Sequence, residues 1–168
     1  MSTATPGPAP AEGTLAPPPG DCRRRASPGC LFDRIVAGDV PAHVVLDEPA
    51  VVAFLDHRPV FPGHALVVPR EHYQFIAELP DELLGRLAGA ARRVATAQRS
   101  ALGNPGTWIA LNDVVSQSVP HVHFHVVPRR PKDGLRGFFW PRSRYADEAE
   151  AASVADAIRT ALGTREPK

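Results

Sequence analysis

Sulfur is scarce in this chain: its 168 residues include one methionine and two cysteines, Cys22 and Cys30. Two thiols suit a reducing compartment better than a disulfide framework. An excess of charge is lacking too. The 19 Lys and Arg nearly balance the 18 Asp and Glu, for a formal net charge of +1. No global field therefore draws in a nucleic acid polymer or a membrane surface. No apolar run approaches the roughly 20 residues that a bilayer span requires. The N-terminus lacks the charged-then-apolar layout of a signal peptide. The expectation is a cytoplasmic protein, with neither membrane nor nucleic acid polymer as partner.

Proline is abundant, and it is concentrated at the start. Residues 1–29 hold seven prolines and four glycines, with Leu15 the one large aliphatic residue. Such a stretch buries too little surface to offset its chain entropy, which predicts a disordered tail. Its Arg23, Arg24 and Arg25 read as solvated charge. Beyond it, a chain that is 43% hydrophobic has enough apolar side chain for one core.

Within CLFDRIVAGDVP, Leu31, Phe32, Ile35 and Val36 stand at helical spacing before Gly38 and Pro41, predicting a short helix and a turn. HVVLDE (43–48) and VVAFLD (51–56) flank Pro49 and read as a hairpin, and ALVVPR (65–70) reads as a third strand. Pro80, Asp81 and Glu82 suit the first turn of a long helix whose face is Leu83, Leu87, Ala90 and Val94, ended by Gly103. TWIALND (107–113) and HVHFHVVP (121–128) are the fourth and fifth strands. Asp147 and Glu150 resemble a capping box ahead of Val154, Ala157, Ile158, Ala161 and Leu162, with Gly163 as the stop. Short connections among the first three strands favour antiparallel pairing and an α+β domain. The predicted organisation is a tail (1–29), a core domain (30–130) and an extension carrying a helix packed on the domain (131–168).

HVHFHVV (121–127) carries the chemistry. If it is a strand, His121, His123 and His125 share one face, and Val122, Phe124 and Val126 share the other. Six ring nitrogens on one face need partners. Three readings compete. The histidines are structural, bonded to backbone and water. They bind a metal, which needs further ligands; Cys30 is distant in sequence, and Asp33 stands where a C-x-x-C would have its second cysteine. Or one is a nucleophile on phosphorus, since a neutral imidazole is available near pH 7 and covalent catalysis splits one displacement into two.

HVHFHVV resembles the H-φ-H-φ-H-φ-φ signature of the histidine triad superfamily of nucleotide hydrolases and transferases. CLFDRIVAGDVPAHVVLDEPAVVAFLDHRPVFPGHALVVPREHY resembles that family's N-terminal half, and SQSVPHVHFHVVPR the segment around its active site. The two blocks follow in the family's order over roughly residues 30 to 130.

The resemblance implies an α+β fold: a five-stranded antiparallel sheet with a long helix and a C-terminal helix, here expected as a homodimer. It implies hydrolysis of a nucleotide at its α-phosphate, with a nucleoside monophosphate released from a nucleotidyl-histidine intermediate. His123 would be the nucleophile, its other nitrogen held by a backbone carbonyl. His125 would contact phosphate or leaving group, and His121 and His64 would support them. Ser118 would donate to phosphate or to the leaving group. Gln117 and Asn112 would stand on the phosphate side, although the loop from Asn112 to His121 is shorter than in many relatives and Ser116 replaces a common glycine. Asp56 would accept from ribose hydroxyls. Leu31, Phe32, Ile35, Phe54 and Leu55 would form the base pocket, with His57 at its rim; His43 and His72 read as surface or core histidines.

Purine, with adenine as the family default, is the implied base. The leaving group is left open between an amine, as in a nucleoside phosphoramidase, and a nucleotide, as in a dinucleoside polyphosphate hydrolase. Pro128-Arg129 leans toward the latter, and a biosynthetic nucleotidyl ester is a third option. Some branches hold zinc with C-x-x-C and two histidines; with Asp33 and Pro49 at two of those places, the expectation is no structural zinc and no cofactor. In KDGLRGFFWPRSRY (132–145), Phe138, Phe139 and Trp140 would pin a loop, and Arg136, Arg142 or Arg144 could meet extra phosphates. The alternative class is a nucleotide-binding or partner-binding module with incidental turnover.

Overall fold

Five antiparallel strands form one sheet in the order β1-β2-β3-β5-β4. The computed structural model describes residues 29–135 and 145–162. Its strands are β1 (Val44–Asp47), β2 (Val51–Leu55), β3 (Ala65–Pro69), β4 (Gly106–Leu111) and β5 (Phe124–Arg129). Its helices are α1 (Leu31–Ala37), α2 (Asp81–Leu102) and α3 (Glu148–Leu162). The expected α+β architecture is the one observed, and every strand pairing is antiparallel.

Helices cover both faces of the middle of the sheet, which explains why β2 and β3 are continuous apolar runs rather than alternating ones. Their period of two still sorts the side chains. Val51, Ala53, Ala65 and Val67 pack with Leu87, Ala90, Ala91 and Val94 of α2. Val52, Phe54, Leu66 and Val68 face the other way and pack with Cys30 and Phe32 at the start of α1. The α1 side is thinner, and it leaves room for a cleft.

Two glycines have positions that only glycine takes easily. Gly38 ends α1 at φ 86°. Gly63 turns into β3 at φ +95°, and a Cβ there would stand 2.4 Å from Leu102 Cδ1. The β2–β3 turn is thus seated directly on the last turn of α2.

One boundary differs from the sequence reading with consequence. The fifth strand begins at Phe124, not at His121. Residues 121–123 are irregular, with Val122 N–H donating to Tyr73 O at 2.7 Å. Val122 and Val126 still face α2, so the alternation survives without the ladder. Freed from it, His121 and His123 turn to different neighbours.

The chain divides into two compact units, Met1–Pro131 and Lys132–Lys168. The second contains α3, described by itself. Half of the expected capping box forms: Glu150 N–H donates to Asp147 Oδ1 at 2.8 Å, while the Glu150 carboxylate accepts from Ala146 N–H rather than from that of Asp147. The tail to residue 28, Arg136, Phe138, Phe139, Trp140, Arg142, Arg144 and Gly163 lie outside the described residues.

Leu87 is fully buried where α2 meets the sheet. Leu87→Ala should therefore destabilise the domain by about 2–5 kcal/mol, measured as a lower urea midpoint with little change in slope.

Candidate active site

Three backbone groups decide which nitrogen of each key imidazole carries a proton. A carbonyl can only accept and a backbone N–H can only donate, so tautomers follow from the partners. His121 Nε2 lies 3.0 Å from Pro69 O, which puts its proton on Nε2. His123 Nδ1 lies 2.7 Å from His121 O, which puts its proton on Nδ1 and leaves Nε2 bare. Val60 N–H donates to His64 Nδ1 at 3.2 Å, so the His64 proton is on Nε2. That Nε2–H faces His125 Nδ1 at 3.0 Å and donates to it, which puts the His125 proton on its own Nε2.

The result is a complementary pair. His123 offers a lone pair, and His125 offers an N–H. Their ring centroids are 4.8 Å apart, and both rings line the same cleft of about 440 Å³. The volume is in the range of sites for small organic ligands. A nucleophile and a hydrogen-bond donor side by side can attack an electrophilic centre and hold the group that leaves it.

Burial holds these rings neutral. It lowers the pKa of His64, His121 and His123 below the usual histidine value, and in His64 and His121 it outweighs the pull of Asp56 and Asp33 respectively. His125 is pushed down to about 4, first by burial and then by His123 and His64 beside it. A bare nitrogen on His123 is thereby kept available for nucleophilic attack at neutral pH.

The rest of the cleft is apolar on one side and acidic on another. Leu31, Phe32, Ile35, Phe54, Leu55, Asp56 and Ser118 line it, and so does His57. Phe32 stands edge-on to both His121 and His123, with centroids at 5.9 and 5.2 Å. Asp56 receives Arg58 N–H on Oδ1 at 2.8 Å, which fixes its orientation. Val40, Pro41, Ala42, His43, Leu66 and Val119 complete the wall. His43 was read as a surface or core histidine; it reaches the cleft from the segment that β1 extends, and no motif marked it.

Four residues singled out by the sequence are not among those lining the cleft. His64 stands behind His125, as described. His121 faces another cluster. Asn112 directly follows β4 and is not among the lining residues. Gln117 is spent on the loop: its Nε2 donates to Gln74 O at 2.8 Å and its Oε1 accepts from Val114 N–H at 3.3 Å. The loop needs this tether, because Val114 and Ser116 both adopt φ 63°. A left-handed Ser116 is backbone strain held by surrounding bonds.

His121 leads to a second constellation. Its bare Nδ1 lies 3.1 Å from Asp33 Oδ1 and 3.6 Å from Cys30 Sγ, and His72 Nδ1 lies 3.0 Å from Asp33 Oδ2. One ligand-type atom from each of the four residues lies within 4.8 Å of the others. A lone pair facing a carboxylate oxygen at hydrogen-bond distance needs a proton or a cation between them. A thiol, a carboxylate and two imidazoles are the donor kinds that zinc takes in a closed four-coordinate site. The set therefore fits such an ion, which would tie α1 to residues 72 and 121 and offer no open position for chemistry. Asp33 and Pro49, standing where a cysteine and a histidine would be, led to the expectation of no structural zinc; His72 lay outside that pattern. Asp56, His64 and His125 also bring ligand-type atoms within 4.8 Å of one another, but the lone pairs on His64 Nδ1 and His125 Nδ1 already accept N–H groups.

A family model described as the HIT domain matches residues 37–132. The chain belongs to the HIT domain family. It is 43% identical over 108 residues to an uncharacterized HIT-like protein of Methanocaldococcus jannaschii, covering 62% of this chain and 82% of that one. It is 34% identical over 114 residues to the adenosine 5′-monophosphoramidase hnt1 of Schizosaccharomyces pombe, covering 67% and 83%. Among solved structures, a Zn-bound histidine triad family protein from Mycobacterium smegmatis superposes with a TM-score of 0.62 at 35% identity, covering 80% of this chain and 96% of that one.

The lowered histidines make stability depend on pH. In the unfolded chain they bind protons near 6.5, the value from which each is depressed in the folded state. Below about 6.5 the unfolded state holds more protons, so stability rises with pH across that window and is lost as pH falls from 6.5 toward 4. Urea unfolding between pH 7.5 and 4.5 should show this fall. His125→Asn should make the fall shallower.

Proposed function

We propose that this HIT domain hydrolyses a nucleotide at its α-phosphate and releases a nucleoside monophosphate. The observation that carries the reading is the His123 Nδ1–H bond to His121 O at 2.7 Å, because it leaves Nε2 bare in a ring that lines the cleft. In the first step His123 Nε2 attacks the α-phosphorus as the bond to the leaving group breaks. His125 Nε2–H hydrogen-bonds the departing atom, which takes its proton from a water molecule. The hydroxide so formed attacks the phosphorus of the nucleotidyl-histidine, and the bond to His123 Nε2 breaks, which frees the neutral ring. Ser118 donates to a phosphoryl oxygen as charge builds there. Asp56 accepts from the ribose hydroxyls, and the base lies among Leu31, Phe32, Ile35, Phe54 and Leu55.

The S. pombe relative's name supports adenosine as the nucleoside and an amine as the leaving group. A second nucleotide as leaving group is the alternative that Pro128-Arg129 suggested. A nucleotide-binding module is the competing class, but a binder has no use for a nucleophile paired with a proton donor.

Product chromatography after incubation with an adenosine phosphoramidate, and separately with diadenosine polyphosphates, tests the reading. Wild type should form AMP without added divalent cations and prefer the phosphoramidate. His123→Ala should lose turnover by on the order of 10⁴-fold or more while still binding AMP. Wild type that binds AMP and cleaves neither substrate would place the chain with the binders.

The cluster of Cys30, Asp33, His72 and His121 is proposed to take zinc as a structural ion. Zinc should raise the melting temperature of the apo protein, and His72→Ala should remove that rise. An unchanged melting temperature in wild type at saturating zinc would sink this assignment.

A further inference from the structure

The bond between His64 and His125 depends on two segments meeting at a point where the sheet no longer joins them. The β3–β5 ladder ends at Ala65↔Val126. His64 lies one residue beyond it, in the turn. Something other than the ladder must hold that turn to β5.

Gln98 occupies that place. It lies on α2, on the face of the sheet away from the cleft, and its side chain is buried at 7% exposure. Its Nε2 donates to Gly63 O at 2.8 Å and to Val126 O at 3.0 Å. Gly63 directly precedes His64, and Val126 directly follows His125. One amide thus spans the neighbours of both histidines, one peptide unit past the end of the ladder.

The residue type is otherwise hard to account for. The flanking buried positions of this helix, Leu87, Ala90, Ala91 and Val94, are apolar. Gln98 Oε1 is buried with no hydrogen-bond partner among the described residues. A buried unpaired carbonyl oxygen is costly, and an aliphatic side chain would avoid it. What an aliphatic side chain cannot do is donate to two carbonyls at once. The contact of Gly63 with Leu102 on the same helix seats the turn from a second side.

We propose that Gln98 is a positioning residue: by tying the carbonyls of Gly63 and Val126, it keeps His64 Nε2–H on His125 Nδ1 and so keeps the His125 proton on Nε2. Its kinetic consequence rests on the hydrolase reading above; its effect on the tautomer does not. The route runs from Gln98 through the backbone of the turn, where Val60 N–H holds His64 Nδ1, to a ring that Gln98 never touches.

The test is long-range proton–nitrogen NMR of the full chain labelled with ¹⁵N-histidine, wild type against Gln98→Met. Wild type should show His64 and His125 each as a single Nε2–H tautomer. In Gln98→Met the two His125 nitrogens should move toward each other as both tautomers become populated. AMP release should fall on the order of 10-fold or more in kcat with KM nearly unchanged, as expected for a displaced donor. A fall in melting temperature with the His125 tautomer intact would overturn the proposal, since it would make Gln98 structural alone. If Gln98→Met does not fold, Gln98→Asn, whose shorter amide cannot span both carbonyls, carries the same two readouts. A wild-type enzyme without turnover leaves the spectrum to decide the matter, so failure of the activity and failure of the proposal are told apart.

Discussion

A histidine side chain can donate or accept at either nitrogen, and everything this cleft can do depends on removing that freedom. The hydrogen bond from His123 Nδ1 to the carbonyl of His121 removes it for the proposed nucleophile. Because donor and acceptor lie two residues apart, the bond needs the backbone of 121–123 to leave the regular ladder before β5 begins at Phe124. Were His121 paired in the sheet as a strand residue, its carbonyl would be turned to a neighbouring strand. The irregular entry into β5 is therefore the feature on which the chemistry turns. The tautomer of His125 is set by independent means, through His64 and the N–H of Val60.

Burial adds a second constraint. The cleft exists because α1 covers the sheet less fully than α2 does, yet Phe32 still packs against both His121 and His123. Its ring closes off water on one side of two imidazoles, and only His123 of the two still borders the cleft. Desolvation keeps the rings uncharged, and the same ring wall offers an apolar surface to a ligand. The cost appears as stability that weakens in acid, which is a common bargain at sites tuned away from their ordinary titration.

Most of the fold was legible before any coordinates. Runs such as ALVVPR and the helical face Leu83, Leu87, Ala90 and Val94 are local patterns, and local patterns place elements well. Most of the cleft was legible too, but only through resemblance: nothing in the spacing of Leu31, Phe54 and Asp56 says that they meet. The misses are residues brought together by tertiary structure. His72 follows β3 without a motif, and it joins Cys30 and Asp33 only because α1 folds back over the sheet. Gln98 looks like a polar residue on a solvated helix until the turn at Gly63 is seen beside it. Gln117 shows the reverse: a motif drew attention to an amide that the shortened loop has taken for itself.

The pairing of His64 with His125 joins positions 61 residues apart, and α2 and β4 lie between them in the chain. The first three strands have only short connections and can meet early. β5 must close a long loop before it docks between β3 and β4, an entropically late event. Neither the bare nitrogen of His123 nor the proton of His125 is set until that strand is in place. On the proposed mechanism a partly folded chain is chemically inert, and competence to react arrives together with the last piece of the sheet.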